Sequence, residues 1–117
     1  MSYNVTGWAI KKLDAFTLPY KDVLEMTDYT ARQQDGIYTF NAFEVEGMEI
    51  IGTLENDRII VSDLSYSGEY SGTYWDIGFE PILLKSTGTM RARVVWEGGD
   101  AVEVVTVENG VISREDL

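Results

Sequence analysis

The sequence contains neither histidine nor cysteine. The absence of histidine excludes Ser-His-Asp and Cys-His catalytic arrangements and removes imidazole as a metal ligand. The absence of cysteine excludes disulfide bonds, thiolate metal sites and cysteine nucleophiles. Any catalysis would depend on carboxylates, tyrosine or lysine alone. We therefore predict that the protein is not an enzyme, has no catalytic or metal-binding residues and uses no cofactor.

Long apolar runs are also absent. The longest uninterrupted aliphatic runs are residues 59–61 and 82–84, whereas a transmembrane helix needs about 20 apolar residues. Residues 1–4 have neither the basic nor the apolar region of a signal peptide. These absences, together with the lack of cysteine, lead us to expect a cytoplasmic protein.

Negative charge is in excess. The 117 residues include 20 acids and 9 bases, a net charge of −11. Residues 1–35 hold five acids and four bases, residues 36–80 nine acids and one base, and residues 81–117 six acids and four bases. Such a chain repels nucleic-acid phosphates and anionic lipids, so a basic protein partner is favoured. The alternative is that the charge only keeps the domain soluble.

The length is sufficient for one domain, which we expect to span residues 1–117. Residues 1–35 are predicted to be mainly helical, and Thr17-Leu18-Pro19 predicts the start of a second helix. Trp8 and Ile10 also fit a strand. The apolar residues that recur at helical spacing are Val5, Trp8, Ala9, Leu13 and Phe16.

Residues 36–117 are predicted to be mainly β. Asn56-Asp57, Gly98-Gly99 and Asn109-Gly110 are two-residue hairpin turns. The first turn would pair Glu55 with Arg58 and bury one face of the hairpin. The predicted fold class is α+β, with N-terminal helical segments packed on an antiparallel β-meander, either open or partly rolled. The residues expected on the buried face of this hairpin are Met48, Ile50, Leu54, Ile59 and Val61.

Acidic side chains follow the predicted strands of the middle segment. Alternate residues on a strand point the same way, about 6.6–6.8 Å apart, so carboxylates on a twisted sheet can approximate the phosphates of duplex DNA in spacing and sign. The alternative is a solvated strand face. The predicted partner-binding carboxylates are Glu44, Glu46, Glu49, Glu55, Asp57, Asp63, Glu69, Asp76 and Glu80.

Residues 66–76 contain the triplet Tyr-Ser-Gly twice. Tyrosine and tryptophan among serine and glycine are typical of binding loops, which combine rigid contact area with adaptable hydrogen bonding. We therefore add Tyr70, Tyr74 and Trp75 to the predicted partner-binding residues. The alternative is that these rings fill the edge of the core.

In its length, its net charge, its lack of cysteine and histidine and its carboxylates on a β-rich scaffold, the chain resembles the small acidic DNA-mimic proteins, in particular the Neisseria type that binds the histone-like protein HU. These mimics share no sequence motif, so the resemblance carries over no individual residue. It implies a monomer that occupies the DNA-binding face of a basic nucleoid protein and competes with DNA, without binding nucleic acid directly. It also requires Lys11, Lys12, Arg91 and Arg93 to lie off the mimic face.

Two other functions use the same features. One is an immunity or anti-defence inhibitor of a basic nuclease or CRISPR effector, which would depend on the same electrostatics. The other is a small assembly module that binds another subunit through the Tyr/Ser/Gly loop, and that binding would not depend on the carboxylates.

Overall fold

The computed structural model describes residues 4–27, 31–41, 48–71, 80–96 and 101–116. The strands of this part of the chain form one eight-stranded antiparallel sheet in the order β2-β3-β4-β5-β1-β6-β7-β8. Along the chain the elements are β1 (Asn4–Pro19), α1 (Tyr20–Met26), β2 (Arg32–Gln34), β3 (Ile37–Asn41), β4 (Met48–Glu55), β5 (Arg58–Ser71), α2 (Glu80–Leu83), β6 (Thr87–Trp96), β7 (Ala101–Glu108) and β8 (Val111–Asp116).

Two predicted hairpin turns are confirmed. Asn56 and Asp57 both have positive φ, as do Asn109 and Gly110. This geometry is that of type I′ turns, whose twist matches that of the flanking strands. The first turn pairs Glu55 with Arg58, as predicted. The predicted turn at residues 98–99 lies outside the described residues.

The prediction of an α+β fold with a mainly helical segment 1–35 is wrong. β1 is a 16-residue strand that pairs with β5 on one side and with β6 on the other. Its pairing with β6 is interrupted three times by bulges or irregularities. Each bulge shifts the alternation of inward and outward side chains, so the apolar residues acquire a spacing that resembles a helix. Of the predicted helices, the one after Pro19 is present as the seven-residue α1.

One buried cluster forms the core. It takes side chains from the inward faces of β1, β3, β4, β5, β6 and β7, and α1 and α2 add Val23, Met26, Ile82 and Leu83. The predicted inward residues of the β4–β5 hairpin are buried except Leu54, which is 38% exposed. Leu54 stands next to the turn, where the sheet ends. Both helices therefore pack on the inner side of the sheet.

Within the described part of the chain, no helix has the length and apolar character that crossing a membrane requires. α1 has seven residues and α2 has four.

Candidate functional site

The predicted carboxylates that the structure describes lie mainly on the side of strands β2 to β5 that faces away from the core, which we call the outer face. Residues directly opposite each other on neighbouring strands share a face of the sheet. The outer face comprises Arg32, Gln34, Ile37, Thr39, Asn41, Glu49, Ile51, Thr53, Glu55, Arg58, Ile60, Asp63 and Ser65.

Two carboxylates mark one end of the outer face. Glu49 on β4 lies opposite Ser65 on β5, and Asp63 is two residues before Ser65. Glu49 and Asp63 are therefore diagonal neighbours, with Cα atoms about 7–8 Å apart. Asp63 is exposed and Glu49 is partly exposed. They form an acidic pair, which we call the strand pair.

The β4–β5 turn carries two further carboxylates, of which Glu55 belongs to the outer face. Glu55 ends β4, Asp57 occupies the second turn position, and both are exposed. Glu55 is six positions after Glu49 on β4, which corresponds to about 20 Å at the rise of an antiparallel strand. We call Glu55 and Asp57 the turn pair. Asp63 lies directly opposite Ile51, so on the outer face of β4 only Thr53 separates the strand pair from the turn pair.

Arg58, the single base of residues 36–80, is engaged away from the turn pair. Its Nε donates to Thr17 Oγ1 at 2.7 Å, and its Nη2 donates to the carbonyl oxygens of Lys85 at 2.7 Å and Thr17 at 3.4 Å. These bonds connect β5 to β1 and to Lys85, the second residue after α2. Arg58 lies opposite Glu55 in the ladder, yet its hydrogen bonds satisfy uncharged oxygens.

Arg32 approaches the strand pair through Asn41. In the amide orientation that satisfies both neighbours, Asn41 Nδ2 donates to Glu49 Oε2 and Asn41 Oδ1 accepts from Arg32 Nη2, each at 3.2 Å. Glu49 is therefore partly compensated, whereas Asp63, Glu55 and Asp57 have no ion pair with any described residue.

The other bases that the resemblance requires to lie elsewhere are on β1 and β6. Lys12 on β1 is directly opposite Arg91 on β6, and Arg93 is two residues further along β6. Lys11 precedes Lys12, and all four side chains are exposed. They lie outside the four strands that form the outer face.

The remaining predicted residues are not brought to the described site. Glu80 begins α2, a different element from the outer-face strands. Glu69 and Tyr70 belong to β5, but their side chains are outside the described part. Residues 66–71 of the predicted Tyr/Ser/Gly loop form the end of β5 and pair with β1, so this part is not a loop. The predicted residues that lie outside the described part, and so remain predictions, are Glu44, Glu46, Tyr74, Trp75 and Asp76.

Sequence reasoning missed the apolar centre of the outer face. Ile37, Ile51 and Ile60 lie on three neighbouring strands, Ile51 directly opposite Asp63 and the other two opposite Thr53, and Ile37 is 48% exposed. The alternation of β4 already placed Ile51 on the side of Glu49 and Glu55. The register of the Asn56-Asp57 turn implies that Ile60 lies opposite Thr53, whereas the partner on β3 depends on a strand pairing that short sequence patterns do not contain.

Glu103 on β7 is a second feature that sequence reasoning missed. It lies opposite Asp116, next to Arg114, on the inner side of the sheet. Its Oε1 is buried without a hydrogen-bond partner among the described residues. Burial raises the pKa of Glu103 above the ordinary value of 4.5, Arg114 lowers it and Asp116 raises it further. A buried, unbonded carboxylate oxygen destabilises the charged form.

The described residues include no group of three or more acidic side chains arranged to hold a metal ion. Comparisons with protein-family models, with curated proteins and with solved structures found no match to this chain. The function is therefore argued from the geometry and charge of the outer face.

Proposed function

We propose that this protein is a DNA mimic that binds a basic DNA-binding protein of the histone-like HU type and competes with DNA. The observation that carries the proposal is the arrangement of charge on β4 and β5. Three exposed carboxylates, Glu55, Asp57 and Asp63, have no ion pair with a described residue, and the nearby Arg58 is hydrogen-bonded to Thr17 and Lys85. The carboxylates remain available to an external cation.

The separation of the two acidic groups is compatible with a duplex. Glu49 of the strand pair and Glu55 of the turn pair are about 20 Å apart along β4, which matches roughly six base-pair steps of about 3.4 Å each. The strand pair and the turn pair would then stand in for two groups of phosphates, and the apolar centre would face the space between them. An exposed carboxylate–cation pair contributes about 0.2–1 kcal/mol, so affinity requires all of these contacts together.

The proposal is tested by displacement of DNA from an HU-type protein. A short fluorescein-labelled duplex is bound to the protein, the acidic chain is titrated in, and fluorescence anisotropy is measured. We expect the wild-type chain to release the duplex. The variants Glu49→Gln/Asp63→Asn and Glu55→Gln/Asp57→Asn each remove two contacts and should raise the required concentration between about twofold and thirtyfold.

The chain provides a matched control for these substitutions. Glu108→Gln/Glu115→Gln also removes two exposed negative charges, but on β7 and β8. This control should displace the labelled duplex from the HU-type protein at almost the same concentration as the wild type. The proposal is wrong if the wild-type chain leaves the duplex bound, or if the control loses as much competition as the outer-face variants.

A further inference from the structure

The centre of the outer face is an apolar surface that no described helix covers. Ile37 and Ile60 both lie opposite Thr53, and Ile51 is on the same face of β4. Both helices direct buried side chains into the core on the opposite side of the sheet. Ile37 is exposed, and Ile51 and Ile60 are partly exposed. An apolar centre with a polar rim is the arrangement found in protein–protein interfaces.

A depression adjoins this apolar surface at the edge of the sheet. Its volume is about 380 Å³, and Ile37, Thr39 and Arg32 are among the residues that line it. Because Ile37 belongs both to the depression and to the apolar surface, the two are continuous. A partner that reached the depression would therefore also contact the outer face.

We propose that the outer face receives a basic amphipathic α-helix of the partner protein. The apolar stripe of the helix would pack on Ile37, Ile51 and Ile60. Its lysine and arginine side chains would meet the strand pair at one end and the turn pair at the other. This inference rests on the proposed function and names the element by which the partner binds.

The dimensions of the surface support a helix as the occupant. Glu49 and Glu55, the carboxylates at the two ends of the surface on β4, are about 20 Å apart, the length of roughly 13 helical residues. From β3 to β5 the surface is about 10 Å wide, which is close to the diameter of a helix. Strand addition at the nearby edge is disfavoured because β2 has only three residues.

The charge of the surface selects a basic occupant. Carboxylates border the apolar centre at both ends, so lysine or arginine at the corresponding ends of the helix would be attracted. A second copy of this chain is disfavoured because two molecules of net charge −11 repel each other.

The test uses a fluorescein-labelled synthetic peptide of about 14 residues, with leucine at positions i, i+3, i+4 and i+7 and lysine elsewhere. A peptide of the same composition in scrambled order serves as the comparison. Anisotropy gives the affinity of each, and circular dichroism reports helix formation on binding. We expect the amphipathic peptide to bind as a helix at least about tenfold more tightly than the scrambled one.

Two variants of the chain show whether the peptide binds at the apolar centre of the outer face. Ile37→Thr/Ile60→Thr keeps β-branched residues on the strands and should weaken the amphipathic peptide about tenfold, while leaving the scrambled peptide unchanged. Val111→Thr changes another exposed apolar residue, which is 68% exposed on β8, and should change neither affinity. Melting temperatures verify that each variant is folded.

Three outcomes would overturn the inference: equal binding of the two peptides, no effect of Ile37→Thr/Ile60→Thr, or displacement of the peptide by self-association of the chain. The proposed function is judged separately by displacement of DNA. If Ile37→Thr/Ile60→Thr displaces DNA as well as the wild type while Glu49→Gln/Asp63→Asn does not, the helix inference fails and the proposed function stands. If the wild-type chain displaces no DNA, the proposed function fails whatever the peptide does.

Discussion

At the scale of single residues, Ala15 and Gly88 determine how β1 bends against β6. Ala15 has φ of 49° and Gly88 has φ of 78°, both in the left-handed region that glycine accepts more readily than alanine. A Cβ on Gly88 would collide with the carbonyl oxygen of Ala15. The bend of β1 therefore stores strain at Ala15 and depends on glycine at position 88.

Opposite substitutions at these two positions should have opposite effects. Ala15→Gly should raise the free energy of unfolding by about 0.5–1 kcal/mol, because it relieves the left-handed conformation of alanine. Gly88→Ala should lower it by more than about 2 kcal/mol, because backbone must move. Denaturant unfolding measures both. A lower free energy of unfolding in Ala15→Gly would contradict the strain that the positive φ assigns to Ala15.

Glu103 should make stability depend on pH. Below pH 4.5 its carboxyl is protonated in the folded and the unfolded chain. Between 4.5 and the raised pKa of the folded chain, the unfolded chain has released the proton and the folded chain retains it. The contribution of Glu103 to the free energy of unfolding therefore falls as the pH rises through that window. Arg114 reduces the rise in the pKa of Glu103, and Asp116 increases it.

The substitution Glu103→Gln tests this dependence. It should raise the melting temperature at neutral pH, by an amount equivalent to less than about 1 kcal/mol because the side chain is partly exposed. The difference from the wild type should shrink as the pH is lowered below 4.5. Thermal unfolding across this range provides the measurement. A lower melting temperature at neutral pH would mean that attraction to Arg114 outweighs desolvation.

At the scale of elements, β1 and β6 carry two positive side chains directly opposite each other. A substitution that reverses one charge would turn their repulsion into attraction. Lys12 lies directly opposite Arg91, and like charges at this position are destabilising. Lys12→Glu should therefore raise the free energy of unfolding by about 0.2–1 kcal/mol. Lys11→Glu makes the same change of charge at the preceding exposed position and should gain less. Equal effects of the two variants in denaturant unfolding would contradict the pairing.

The elements also differ in how far the sequence could predict them. The turns at Asn56-Asp57 and Asn109-Gly110 were predictable because a turn of this type depends on residues that tolerate positive φ, all within four positions of the chain. β1 was not predictable, because its ladder partners lie between 39 residues (Pro19 and Arg58) and 91 residues (Val5 and Trp96) away in the sequence, and its bulges disrupt the alternation. Apolar spacing alone could not distinguish a bulged central strand from a helix.

The candidate site was predictable only in part, because local alternation shows which side of a strand a residue occupies but not which distant residues lie beside it. Alternation along β4 assigned Glu49 and Glu55 to one side of the strand, where the structure places them. It could not reveal that Ile37 on β3 would lie opposite Thr53, although the register of the Asn56-Asp57 turn implies the pairing of Thr53 with Ile60. It could not reveal the hydrogen bonds of Arg58 to Thr17 and Lys85 either, because these residues come from distant parts of the chain.

At the scale of the whole molecule, charge of opposite sign is concentrated on different parts of the described sheet. Carboxylates border the outer face of β2 to β5, and exposed bases gather on β1 and β6. Lys11, Lys12, Arg91 and Arg93 therefore lie outside strands β2 to β5, whereas Arg32 and Arg58 lie on the outer face itself. A partner with a basic surface would be attracted to the molecule by its net charge and oriented by the outer face.

The most direct test of this account is the salt dependence of binding to an HU-type protein, measured by titration calorimetry between about 50 and 200 mM salt. We predict that affinity falls as salt rises, with a shallower slope than for DNA because the carboxylates of a protein condense fewer counterions. Neutralising the strand pair with Glu49→Gln/Asp63→Asn should flatten the slope further, whereas Glu108→Gln/Glu115→Gln should leave it nearly unchanged. Salt-independent binding, or the same slope in all three proteins, would contradict the account.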